Sequence, residues 1–176
     1  MFGFGKKKDS VVVEAVCAKL RPLFAIVEHR LSGMPVDLTQ DPYVLGYVVG
    51  SATIFAQIET SGKASTELRG LVALASLQTA FASLNMTVQQ ASASMHLIAG
   101  NAEAKRGSNA ADLVIGVAAG KTDRDNEPEI VAAKKAVANM PSSIKQVLGG
   151  SDRSLLMTEL QEQVFFAPIE ARYRQK

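Results

Sequence analysis

Between Pro42 and Ala102 the chain carries only four formal charges, Glu59, Lys63, Glu67 and Arg69, and all four cluster around Gly62. An uncharged stretch divided by one charged turn is the pattern of two apolar helices folded back on each other and withdrawn from water. The expected fold is therefore all-α: a single-domain helical bundle of about six to eight helices with a buried central helical hairpin. Residues 1–8 are expected as a flexible basic N-terminal tail, and residues 9–176 as a single helical domain.

The hairpin has explicit boundaries. Asp41 before Pro42 caps free amides and supplies a preset φ at the first helical position, so one helix is predicted from Pro42 to about Thr60, stopping at Gly62. The second begins near Ser65 or Thr66 and carries Leu68, Leu71, Leu74, Leu77, Phe81 and Leu84 at spacings of three and four. Gly46 and Gly50 lie one turn apart on the first of these helices and form a candidate helix-packing or interface face, where another backbone can approach closely.

Flanking elements follow from the same signals. Val12, Val16, Leu20, Leu23, Val27 and Leu31 place an apolar stripe on a helix that starts at Asp9 or Ser10, with a kink or break expected at Pro22. Thr87 and Gln90 form a capping-box pair for a helix ending at Gly100. Asn101 to Gly107 reads as a polar connection, followed by a short helix from about Asn109 to Ala119. In that helix the run Leu113 to Val117 is β-branched enough to suit a strand as well. Asn126 and Glu129 suggest another capping box, for a helix ending at Pro141. A short helical turn through Ile144 and Leu148 follows, and then a last helix from Asp152 to Arg174, bent at Pro168.

Composition excludes several function classes. A net charge of +2 in 176 residues, with bases matched locally by acids, gives no basic field for nucleic acid. Cys17 is the sole cysteine, so no intrachain disulfide forms, and the run Val11–Val13 meets Glu14 too soon for a secretory signal. The expected location is the cytoplasm. Pro42 to Ile58 falls short of the roughly 20 apolar residues a membrane-spanning helix needs.

Three motifs approach known chemistry and stop short of it. Gly116 to Thr122 resembles the phosphate loop of P-loop nucleotide hydrolases shortened by one residue, but Asp123 and Asp125 follow where a phosphate would approach, so the reading is a helix ending at Gly120. Asp123, Asp125 and Glu127 alternate as in a calcium loop, yet Pro128 stands where that loop requires Gly and Lys134 where it requires Glu. Ser92, Ser94 and His96 lack a nearby carboxylate for nucleophilic catalysis. No catalytic residue, cofactor-binding residue or metal ligand is assigned, so the sequence favours a non-enzyme over an enzyme whose site is assembled from residues distant in sequence.

The first functional expectation is a non-enzymatic helical protein acting through contacts with a protein partner or by self-association. An alternative is a small-molecule or lipid binder with a pocket between helices, anchored by His96 and Gln78. His96 is the one titratable group between Leu71 and Ala102, set among Met95, Leu97 and Ile98, a context that suggests a core or groove position. A third reading is peripheral membrane association through residues 1–8, where two Phe accompany three Lys.

Overall fold

A computed structural model describes residues 4–121, 123–148 and 150–174. The protein is all-α, and among the described residues there is no strand. The chain divides into two compact units, Met1–Asn109 and Ala110–Lys176. This division falls inside one helix.

In the first unit, α1 (Phe4–Arg30), α2 (Pro42–Glu59) and α3 (Thr66–Ala80) pack against one another in all three pairings. The α2–α3 pair is the anticipated hairpin. Asp41 accepts hydrogen bonds from the amides of Tyr43 (2.8 Å) and Val44 (3.2 Å), Pro42 opens the helix, and the chain leaves through Thr60 to Gly62 at φ +82°. Ser65 caps α3 through the Leu68 amide. Tyr47, Leu45, Leu77 and Phe81 are fully enclosed, each worth about 1.5–3 kcal/mol over an exposed position.

α1 differs from expectation at both of its uncertain points. It starts at Phe4, so Phe4–Lys8, expected as part of a tail, are helical, while Met1–Gly3 lie outside the described residues. It also runs unbroken through Pro22. Proline deprives the Ala18 carbonyl of its partner, but Ala18 and Pro22 both face water, which solvates the freed oxygen. On the opposite side Val12, Val16, Leu20, Leu23 and Val27 are buried as the spacing predicts, and Phe24 meets Phe81 edge-to-face at 5.9 Å.

The predicted stripe of α3 is buried at Leu68, Leu77 and Phe81 but not at Leu71, Leu74 or Leu84, because the inward face also runs through Val72, Ala73 and Ser76. Leu71 is 52% exposed. A 3-10 turn (Ala82–Leu84) and Asn85 in the left-handed region lead to α4 (Val88–Ile98), whose capping box between Thr87 and Gln90 is complete. Another 3-10 turn (Val36–Gln40) precedes α2 and packs beside both α2 and α4.

The largest departure is α5 (Ala102–Ala118). Residues 102–107 are the first turns of one continuous helix, so neither the polar connection nor a strand at Leu113–Val117 exists. The Asn101 carboxamide starts it by accepting from the amides of Glu103 (2.9 Å) and Ala104 (3.3 Å). The inward positions of its first half, Ala104, Gly107 and Ala111, are small and give almost no apolar signal to a periodicity reading, whereas Leu113, Val114, Ile115 and Val117 further on are buried large residues.

In the second unit α5 ends at the left-handed Gly120 (φ +77°), with the Lys121 amide donating to the Gly116 carbonyl at 2.9 Å, a helix-terminating turn. Thr122 lies outside the described residues. α6 (Pro128–Asn139) opens on Pro128 with Glu127 at the cap position and no side-chain cap bond, so the capping box expected of Asn126 and Glu129 does not form. The proline already fixes the first turn one residue too late for Asn126 to reach it. α7 (Ser142–Leu148) follows, and then α8 (Asp152–Gln161), which passes through a π-helical segment (Glu162–Phe166) into α9 (Ala167–Tyr173). α6 and α8 pack together, and Ile130, Ala133, Leu155, Leu160 and Phe165 are buried.

Candidate functional site

The glycines of α2 lie against the N-terminal half of α5. A Cβ on Gly46 would overlap the Ala104 carbonyl, and one on Gly50 would come within 2.8 Å of the Ser108 Cα. From the other helix, a Cβ on Gly107 would overlap the carbonyl of Tyr43. The two backbones therefore touch along Gly46, Gly50 and Gly107, the close approach that small residues permit. Beside this crossing lies a cleft of about 600 Å³ reached by Thr53, Ile54, Lys105 and Asn109.

A second cleft in the same unit, of about 470 Å³, runs between the Val36–Gln40 turn and α4. Its lining is uncharged: Val36, Leu84, Met86, Ala93 and Leu97 supply the apolar wall, and Thr39, Gln40, Gln90 and Ser94 the polar positions. Ser94 donates from Oγ to the Thr39 carbonyl at 3.2 Å, which ties α4 to the turn. Val36 and Leu97 on this lining are 67% and 46% exposed.

The residues proposed as a ligand anchor are not gathered there. His96 is exposed, because α4 buries Ala91 and Ser94 and His96 projects from the opposite side. Gln78 is half-buried and donates from Nε2 to the Met86 carbonyl at 3.2 Å, bracing the turn after α3. Neither residue lines this cleft or the one beside the crossing of α2 and α5. Ser92 is exposed, so Ser92, Ser94 and His96 do not converge on one point.

The second unit holds a cleft of about 430 Å³ bounded by the end of α5 and by α6, α7 and α8. Val117, Val137, Ala138 and Leu156 give it apolar walls, and four cations, Lys121, Lys134, Lys145 and Arg153, share it with two carboxylates, Asp125 and Asp152. Lys134 is paired with Asp125 at 3.1 Å. Nearby, Arg124 binds Asp112 at 2.6 Å and Glu127 at 3.2 Å. Sequence reasoning missed this group because its cations come from four separate elements, spread over more than thirty positions of the chain.

Among the described residues no three His, Cys, Asp or Glu side chains are placed to hold a metal ion, and no helix is long and apolar enough to cross a membrane. Cys17 is buried within α1. Comparison with family models, with curated proteins and with solved structures finds no match for this chain.

Proposed function

We propose that this is a non-enzymatic helical protein that works through contact with other protein chains, its own copies included, and that the uncharged cleft between Val36–Gln40 and α4 is where contact is made. The observation that carries the reading is the exposure of Val36 (67%) and Leu97 (46%) beside Met86 and Ala93 on a surface without a charge. Covering such a surface removes apolar area from water and strips no ion of its hydration. The polar groups nearest to it are already partly engaged, as Ser94 is with the Thr39 carbonyl.

The test uses Val36→Glu and Leu97→Glu, both at solvent-facing positions where a carboxylate is tolerated by the fold. Sedimentation equilibrium of the unaltered chain is expected to show reversible association that either substitution weakens by at least about tenfold, equivalent to about 1.4 kcal/mol. If the unaltered chain is monomeric, a photoreactive side chain at Ala93 should yield one defined protein adduct that Leu97→Glu abolishes. A monomer with no such adduct refutes the reading.

A further inference from the structure

We propose that the cleft of the second unit binds a small organic dianion, of the phosphomonoester class, carrying an apolar body. The argument begins with charge that the protein itself leaves unmatched. Of the four cations, Lys134 is neutralised by Asp125. Lys121 reaches Asp112 only at 4.0 Å, and that carboxylate is already held by Arg124 at 2.6 Å. Lys145 and Arg153 make no ion pair among the described residues, and neither does Asp152, the second carboxylate on the lining, so four cations against two carboxylates leave the cleft at +2.

Free cations that line a concave surface focus a positive potential, which suits an anion better than the same charges on a convex surface would. Arg153 is also positioned by its surroundings. Its guanidinium lies over Gly120, where a Cβ would meet Nη1 at 3.0 Å, so the missing side chain of Gly120 makes room for the fork. A guanidinium offers paired N–H donors matched to two oxygens of a phosphate, and Lys145 adds a point charge to the same cleft.

Two further features define the ligand. The walls contributed by Val117, Val137 and Leu156 offer nothing to a bare inorganic ion but desolvate a ring or short chain attached to the charged head. The volume, about 430 Å³, lies within the range of small-molecule sites, roughly 300–1,000 Å³. The helix end at Gly120 has no phosphate-loop geometry, so recognition rests on side chains and not on a cradle of amides.

Phenyl phosphate is the probe, titrated into the full chain by calorimetry and by amide chemical-shift mapping. Saturable binding at or below about 1 mM is expected, with the amide signals of Gly120, Ala138 and Leu156 moving. The double substitution Lys145→Gln with Arg153→Gln should raise the dissociation constant at least about tenfold, whereas Lys135→Gln, on α6 outside the cleft, should leave it unchanged. Unchanged circular dichroism and melting temperature verify that the double variant folds, and Lys145→Arg should retain binding. Phenol and inorganic phosphate should each bind more weakly than phenyl phosphate. Absence of saturable binding, an unaffected double variant, shifts confined to other residues, or equal affinity for phenol or for inorganic phosphate would overturn the proposal.

Discussion

Gly107 on α5 lies so close to Tyr43 on α2 that a single methyl group on its Cα would overlap the Tyr43 carbonyl oxygen. The obstacle is a peptide group, which cannot rotate out of the way as a side chain would. Gly107→Ala and Gly46→Ala are each expected to destabilise the first unit by about 1–3 kcal/mol or more, the usual cost of overpacking. Gly70→Ala is the control: Gly70 is helical and exposed, with nothing within 4 Å of a new Cβ. It should stabilise by about 0.4–1 kcal/mol. Urea unfolding followed by far-ultraviolet circular dichroism separates the opposite signs.

Two buried serines should respond in opposite directions. Ser76 on α3 is fully enclosed and its Oγ has no hydrogen-bond partner, so Ser76→Ala removes a desolvated hydroxyl that gains nothing from the fold. Stability should stay level or rise by up to about 1 kcal/mol. Ser94→Ala removes the bond to the Thr39 carbonyl and should cost about 0.5–1.5 kcal/mol. Thermal denaturation of both variants against the parent is the measurement.

Asp41 sets where the central hairpin begins, by accepting two amides at the head of α2. Asp41→Ala should lower stability by about 1–2 kcal/mol, while Asp41→Asn, whose amide oxygen still accepts, should retain most of the cap. Chemical denaturation midpoints of the two variants test the distinction. Equal losses would mean that the carboxylate charge matters more than the cap.

Arg124 joins Asp112 on α5 to Glu127 at the start of α6. Both carboxylates are about two-fifths exposed, which limits each pair to about 1 kcal/mol or less. Arg124→Ala is expected to cost about 1 kcal/mol at low salt, and the difference should shrink at 1 M salt, where screening acts over about 3 Å. Melting temperatures at the two ionic strengths check it.

The hairpin was legible in the sequence because its signals are chemical and local: a carboxylate before a proline, a serine before a helix, a glycine that must turn. α5 was not legible in its first half because the groove it fills leaves no room for large side chains, so its inward residues are Ala104 and Gly107. His96 was read from its apolar neighbours in sequence, but on a helix the residues that share its surroundings are three and four positions away, and the buried line runs through Ala91 and Ser94. The four cations of the second unit's cleft could not be grouped before folding, since only the arrangement of α5, α6, α7 and α8 brings them to one place.

The π-helical segment in the last helix has its own consequence. The Ala167 amide reaches back five residues to the Glu162 carbonyl, and within that wider turn Val164, Phe165 and Phe166 are all buried. A π segment is an α-helix holding one surplus residue, with the faces on either side keeping their registration. Deleting the half-exposed Gln163 should therefore convert 162–166 to ordinary helix without rotating Ile169 away from its buried position. This stretch is where the chain can change its length by one residue and keep its shape.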